Sequence, residues 1–304
     1  MTRWQLAHGR HLDIGAKSLL MGILNVTPDS FSDGGEFDRP ERALQQARRM
    51  IGEGAAIIDV GGESTRPGAG AVSAREEQLR ILPVIEALSS EGGSLVSVDT
   101  YRAETARLAV AAGAHIVNDV HGLQREPDIA REPGIAREPG IAHVAAETGA
   151  GLVIMHTGRG REKLADVIAD QFLFLNRSLE IARDAGIADE RIVLDPGFAF
   201  AKDGEENLEL MARFGELRAL GFPLLVGTSR KRLARHLVGE SDEGRDVGTA
   251  ATSVILRLKG ASIFRVHNVA VNRDALAFAD AVRERETGEE KTRQAGSVTT
   301  PIRR

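Results

Sequence analysis

Polar residues stand at the ends of eight short apolar runs, and their types point to chemistry on an anionic, nitrogen-rich ligand. Two runs close on a carboxylate: Leu95-Val-Ser-Val-Asp99 and Ile192-Val-Leu-Asp195. A buried carboxylate must be neutralised or hydrogen-bonded, because an unpaired buried charge is costly. Its partner is either a protein Arg or Lys, which is the plain structural reading, or the planar N–H/NH2 edge of a ligand, which a carboxylate accepts bidentately. Asn118, carrying both a donor and an acceptor, suits a mixed heterocycle edge. Asp59 sits near the end of another run, but the Gly61-Gly62 pair after it favours a structural role.

A second set is cationic. Arg66, Arg230, Lys231, Arg265 and His267 come from separate stretches, with Ser64 and Thr65 hydroxyls beside them. Any one arginine reads as a surface ion pair. As a set they resemble a site for phosphate or pyrophosphate, and Gly227-Thr-Ser can present backbone N–H groups at a helix start. No Walker-type G-x-x-x-x-G-K-S/T string occurs. The metal signal is slight: there is no H-E-x-x-H, and Asn25 offers a single amide oxygen that would suit Mg2+, an ion that keeps most of its waters and leans on substrate phosphates. Lys231 follows its strand end inside a basic triplet, which makes a Schiff-base role a poor fit.

Positioning these side chains together requires a particular scaffold. The apolar runs are Leu19–Val26, Ala56–Val60, Ser94–Asp99, His115–Asp119, Leu152–His156, Arg191–Asp195, Pro223–Thr228 and Ser262–His267. Helix-period segments lie between them, among them Pro40–Glu53, Ala74–Leu88, Ala103–Ala112, Leu164–Ala185, Glu205–Leu220 and Gly248–Lys259. Continuous apolar strands alternating with helices predict a parallel sheet buried on both faces. Eight repeats without a domain break predict an α/β fold, a single-domain (β/α)8 TIM barrel over residues 19–285. The competing arrangement is an open doubly wound sheet. In a barrel the C-terminal strand ends meet at one mouth, so the polar tips would face a common cavity. Residues 1–18 read as a lead-in segment over the barrel bottom, and 286–304 as a polar, disordered tail.

Composition narrows the options further. With no cysteine, thiolate nucleophiles, disulfides, Cys-ligated zinc and iron–sulfur clusters are excluded. Aromatics at 4% and a net charge of −5 argue against nucleic acid as a partner. No apolar stretch is long enough for a signal peptide or a membrane span, so a cytoplasmic protein with small-molecule partners and no membrane partner is expected. One feature stands apart: Arg125-Glu-Pro-Asp-Ile-Ala is followed by two copies of Arg-Glu-Pro-Gly-Ile-Ala, from Arg131 and Arg137. Proline every six residues forbids one straight helix. The repeat Arg125–Ala142 reads as a duplication in a tolerant loop, or as an added lid or partner-binding element, leading into a helix that ends near Thr148.

Several of these strings carry a family resemblance. Met21-Gly-Ile-Leu-Asn-Val-Thr-Pro-Asp-Ser-Phe-Ser-Asp-Gly-Gly and Asp59-Val-Gly-Gly-Glu-Ser-Thr-Arg-Pro-Gly resemble the first two signatures of dihydropteroate synthases, the pterin-binding TIM-barrel family. Ser97-Val-Asp-Thr, Val117-Asn-Asp-Val, Asp195-Pro-Gly-Phe, Ser229-Arg-Lys and Arg265-Val-His follow in the family's order. The resemblance spans about residues 17–283. It implies a transferase of folate biosynthesis that condenses (7,8-dihydropterin-6-yl)methyl diphosphate with p-aminobenzoate, releasing pyrophosphate. By resemblance, Asp99, Asn118, Asp195, Lys231 and Arg265 would bind the pterin. Asn25, Arg66, Arg265 and His267 would hold the pyrophosphate, Asn25 through Mg2+. Thr65, Pro67, Phe200, Ser229 and Arg232 would border the p-aminobenzoate pocket. A homodimer through barrel helices is also implied.

The chain departs from the family pattern at Met155-His-Thr-Gly-Arg-Gly and at Ala199 and Ala201, where glycine is usual. A non-catalytic or weakly active pterin-binding paralogue would carry much the same site and is the alternative. A pterin-dependent methyltransferase domain, which should lack the Thr-Arg-Pro loop, and a phosphosugar aldolase are further alternatives.

Overall fold

The computed structural model describes residues 2–27, 39–63, 72–125, 140–231 and 241–296, with residue 39 and the stretch 287–296 as backbone only. Eight parallel strands form one sheet: β3 (Leu19–Asn25), β4 (Ile57–Gly61), β5 (Leu95–Asp99), β6 (Ile116–Asp119), β7 (Gly151–Met155), β8 (Ile192–Asp195), β9 (Leu225–Val226) and β10 (Ile263–Val266). Their order is β8-β7-β6-β5-β4-β3-β10-β9. The ring closes at its weakest seam through a bridge between Leu194 and Leu224 and the bond from Leu194 N–H to the Pro223 carbonyl, 3.0 Å. The fold is therefore a TIM barrel. Strands predicted from apolar runs fall within a few residues of those observed, because a strand buried on both faces has no polar alternation to blur it.

Helices α1 (Arg39–Gly52), α2 (Ala74–Glu91), α3 (Ala103–Ala111), α4 (Ile141–Thr148), α5 (Val167–Asp184), α6 (Gly204–Arg213), α7 (Asp242–Leu258) and α8 (Val269–Gly296) surround the strands. Local caps fix their starts. Asp166 accepts from Ile168 N–H and Ala169 N–H, both at 2.8 Å, and Asp203 and Glu206 form a capping box on α6. The segment predicted as one helix over Glu205–Leu220 is α6 followed by a tight 3-10 turn, Phe214–Leu220. Helix α7 begins six residues before the predicted Gly248, capped by the Ser241 hydroxyl on Gly244 N–H at 3.1 Å. The chain remains helical to Gly296, beyond Glu286 where the sequence places the start of the tail.

The lead-in segment contains a hairpin. β1 (Thr2–Gln5) and β2 (His11–Ile14) pair antiparallel beneath the barrel. Trp4, Leu6 and Ile14 pack against one residue from every barrel strand, among them Met21, Ile57 and Ile116. Trp4 Nε1 donates to the Arg191 carbonyl at 2.8 Å. Gly151 is required here, since a methyl group on it would lie 2.4 Å from Leu6 Cδ2. This end is sealed by packing, which leaves the opposite mouth for chemistry. Of the hexapeptide repeat, Arg125 and Gly140 to Ala142 are described; Ile141 and Ala142 are buried in the first turn of α4. The rest of the repeat lies outside the described residues. No described helix is long and apolar enough to cross a membrane.

Candidate active site

The strand ends bring a charged cluster to one mouth. Parallel register sets Gly61 beside Asp99 and Asp99 beside Asn118. From β10 the Arg265 guanidinium crosses the cavity: its Nε donates to Asp59 Oδ2 and an Nη to Asp99 Oδ2, both at 2.6 Å. Asn118 Nδ2 donates to the same Asp59 oxygen at 3.1 Å. On the other side lie Asp195 and Lys231. A methyl group on Gly227 would sit 3.8 Å from Lys231 Nζ and 3.9 Å from both Asp195 Oδ2 and Arg265 Cβ, so the missing side chain leaves room among these three. Lys231 Nζ donates to the Phe198 carbonyl at 2.9 Å and stands 4.6 Å from the centre of the Phe200 ring. Arg159, from the divergent loop after β7, covers the same ring at 4.5 Å.

Burial shapes the electrostatics. Desolvation pushes the Asp99 carboxyl up to about 7, opposed by Arg265 and reinforced by Asp59. Asp195 is raised for the same first reason, against the pull of Lys231 and a bond from Gly197 N–H at 2.8 Å. Burial lowers Lys231 to about 8, although Asp195 favours its charge. Arg265 is pulled the other way: despite burial, Asp59 and Asp99 hold its proton more firmly than usual. These are groups with unmet demand for a partner that can donate and accept, as a fused heterocycle edge can.

Other expected residues divide. Asn25 ends β3, and its Oδ1 shares the space over Gly61 with Asp99 Oδ2, each 3.8 Å from where a methyl group on that glycine would be. His267 follows β10, with Nδ1 2.9 Å from the Ser229 hydroxyl, which also accepts the His267 backbone N–H at 3.1 Å. Ser229 thus orients His267. Phe200 is buried against Val120 and Met155. Arg230 does not join the cationic set: at φ 55 its side chain turns away and pairs with Asp246, Nε to Oδ1 at 2.8 Å. Thr65, Arg66, Pro67 and Arg232 lie outside the described residues. Asp59 is the site member that sequence reasoning assigned to structure alone. It is fully buried and ties Arg265 to Asn118, and its second oxygen has no partner among the described residues. Its position two residues before Gly61, on the same face of β4, is the signal that identifies it. His156, by contrast, is fully buried, with Nε2 2.9 Å from Asp170 on α5.

The donor set at the mouth is sparse for a metal. Among the described residues no three His, Cys, Asp or Glu converge. The Asn25 oxygen beside Asp99 suits a hydrated Mg2+ that takes its remaining ligands from a bound diphosphate, and does not suit an all-protein cage.

Comparison with known proteins gives the same answer. Residues 21–267 match the model of the pterin binding enzyme family. The chain is 46% identical over 253 residues to a dihydropteroate synthase of Bacillus subtilis, covering 83% of this chain and 84% of that one. It is 43% identical to the Synechocystis enzyme of the same name over 277 residues, 89% and 92% of the two chains. Among solved structures it superposes on a Clostridium difficile dihydropteroate synthase determined with pteroic acid, TM-score 0.82, 41% identity, 89% of this chain and 98% of that one. A Xanthomonas albilineans dihydropteroate synthase with 4-aminobenzoic acid gives TM-score 0.82 at 40% identity, 93% and 99% covered.

Proposed function

Because this chain belongs to the pterin binding enzymes, and among them to the dihydropteroate synthases, we propose that its Arg265-centred mouth is where the pterin ring is bound and its diphosphate displaced. The reaction condenses (7,8-dihydropterin-6-yl)methyl diphosphate with p-aminobenzoate to 7,8-dihydropteroate and pyrophosphate. The observation that supports the site assignment is the meeting of Asp99, Asn118, Asp195, Lys231 and Arg265 from five strand ends at one mouth of the barrel.

In this reading Asp99 and Asp195 accept the amino and ring N–H groups of the pterin, Asn118 supplies a donor and an acceptor, and Lys231 donates to a ring nitrogen or carbonyl. Arg265, already locked by two carboxylates, offers its flat face for stacking. His267, Asn25 and Arg66 hold the diphosphate end. Asn25 would hold Mg2+, which neutralises the departing pyrophosphate when bound. The bond from the pterin methylene to the diphosphate oxygen breaks. The neutral aniline nitrogen forms the new C–N bond and then loses its proton, so no side chain serves as a covalent nucleophile. Phe200, Thr65, Pro67, Ser229 and Arg232 border the p-aminobenzoate pocket, where a dry wall keeps water from the electrophilic methylene.

A second copy of the chain fits the outer face of α7 and α8. Val247, Ile255 and Leu258 on α7 and Val271, Phe278 and Val282 on α8 recur at helical spacing and are exposed, Phe278 to 78%. These adjacent apolar stripes support a homodimer. The test of function is purified protein with labelled p-aminobenzoate, the pterin diphosphate and Mg2+. Labelled dihydropteroate and stoichiometric pyrophosphate are expected. Pterin binding without either product would instead establish the non-catalytic alternative.

A further inference from the structure

We propose that Lys202 is a positioning residue for the pterin-binding carboxylate Asp195, acting through Gly197 and held from behind by His156 and Asp170. The proposal rests on the assignment of Asp195 to the pterin given above.

The geometry is continuous. Gly197 N–H donates to Asp195 Oδ1 at 2.8 Å, and this is the bond that orients the carboxylate. The Gly197 carbonyl accepts from Lys202 Nζ at 2.9 Å and from Phe200 N–H at 3.1 Å. Gly197 is left-handed at φ 63, and a methyl group there would lie 1.9 Å from the His156 carbonyl oxygen. The same ammonium donates to His156 Nδ1 at 2.9 Å. On the far side of the ring, Nε2 lies 2.9 Å from Asp170 Oδ2 and 2.8 Å from Arg161 Nη2. Asp170 is fixed in turn by Arg161 and by Leu164 N–H, at 2.9 Å to Oδ1 in each case. The backbone of His156 donates to the Asp195 carbonyl at 2.8 Å. Asp195 is thus gripped at its main chain and at its side chain by two residues that Lys202 joins.

Lys202 is 8% exposed, and its hydrogen-bond partners are a carbonyl and an imidazole nitrogen, not a carboxylate. A buried ammonium so placed is expensive if packing were its only task, since a methionine would fill the space without the desolvation cost. Charged and titratable groups face it from every side: His156 after β7, Arg161 and Lys163 in the following loop, Asp170 on α5, Glu206 on α6, and Asp195 and Lys231 at the mouth. Burial lowers the lysine to about 7, with Asp195 favouring its charge. Reciprocally, its charge helps Asp195 to ionise.

The test compares Lys202→Met, Lys202→Gln and Lys163→Met in the full chain. Lys163 holds the same loop at the Ala201 carbonyl, 2.7 Å, and pairs with Glu206, without reaching Gly197. Affinity for 6-hydroxymethylpterin is read by calorimetry, kcat/KM for the pterin diphosphate against pH, and folding by thermal melting. Lys202→Met should weaken pterin binding about tenfold or more, as expected when a supporting group lets a contact drift. It should also move the acid limb of kcat/KM to higher pH, because Asp195 loses a neighbouring cation and ionises less readily. Lys163→Met should leave that limb in place. If the methionine variant does not fold, Lys202→Gln is decisive: its amide still donates to Gly197 but carries no charge, so the acid limb should move while part of the affinity returns. Pterin affinity within twofold of the unsubstituted protein in Lys202→Met, an unmoved limb in Lys202→Gln, or an equal displacement in Lys163→Met would overturn the proposal. An unsubstituted protein that releases no pyrophosphate would overturn the function instead.

Discussion

Removing the Arg265 side chain beyond its stem, as in Arg265→Met, strands two carboxylates that now share it. Asp59 is fully buried, the Asp99 side chain is 11% exposed, and each lies 2.6 Å from a guanidinium nitrogen. Deleting one partner of such a buried pair costs about 3–5 kcal/mol, because the charge left behind has lost its water as well as its counterion. Asp59 keeps the Asn118 amide, so the lower half of that range is expected. At roughly 2 °C per kcal/mol for a domain of this size, the melting temperature should fall by about 6–8 °C. The loss must also depend on pH. In the fold Asp99 already binds its proton more tightly than in the unfolded chain. Without Arg265 this difference grows, so the folded state binds more protons than the unfolded state over the window from about 4 upward, and stability falls as pH rises through it. Because Asp99 is raised to about 7 even beside Arg265, the two proteins lose stability in parallel up to there and the deficit widens above it, so urea denaturation near pH 8 should show a larger deficit than near pH 5. Adding Asp99→Asn should recover about 1–3 kcal/mol near pH 8, since it removes the stranded charge. A deficit below about 1 kcal/mol near pH 8, or one equal at the two pH values, would refute the claim that Arg265 is held by neutralising buried carboxylates.

Two further outcomes follow from features away from the ion pairs. Ala201→Gly relieves a left-handed residue at φ 53; a gain of about 1–2 kcal/mol, reduced by the added freedom of glycine in the unfolded chain, leaves a net stabilisation near 0.5–1 kcal/mol by urea titration. Phe278→Glu places a charge in the exposed stripe of α8 and should shift sedimentation from dimer towards monomer, with an unchanged melting curve extrapolated to low protein concentration.

The strands and most of the mouth were legible in the sequence for one reason. A parallel barrel strand is apolar along its length and ends at the ligand, so the first polar residue after each run is a candidate by position alone. Asn25, Asp99 and Asp195 end their strands, His267 follows one, and Asn118 and Arg265 stand one residue before the end, so all lie within one residue of a strand tip. Asp59 does not: it precedes the end of β4 by two residues, and the glycines after it drew attention to the turn. The N-terminal hairpin was obscured by its alternation of exposed and buried residues over only four positions per strand, too short for periodicity to register. Helix α7 was cut short because Gly244 and Gly248 interrupt its first turns, while the Ser241 cap and the contact with α8 outweigh their low propensity.

Cations were the hardest residues to assign, and the reason bears on how the site treats its substrate. Arg230 and Lys231 are neighbours of equal formal charge, yet one pairs with Asp246 on α7 and the other enters the mouth. A single left-handed residue, Arg230 itself, reverses the direction of the chain between them. Such a choice is made by tertiary partners, not by local composition. The same sorting changes the charge balance. Among the described side chains the mouth holds the carboxylates Asp59, Asp99 and Asp195 and the cations Lys231, Arg265 and, over Phe200, Arg159, and both guanidinium bonds of Arg265 are spent on Asp59 and Asp99. The side where Asp59 and Asp99 meet is suited to a hydrogen-donating edge and unsuited to an unaccompanied diphosphate. Under the proposed function, a substrate bearing both groups would have to bring positive charge with its diphosphate or meet it beyond this cluster, with His267 the described candidate. On the proposed assignment, the pterin diphosphate would enter with its ring towards Asp195 and its leaving group towards His267, where no described carboxylate of the mouth is hydrogen-bonded.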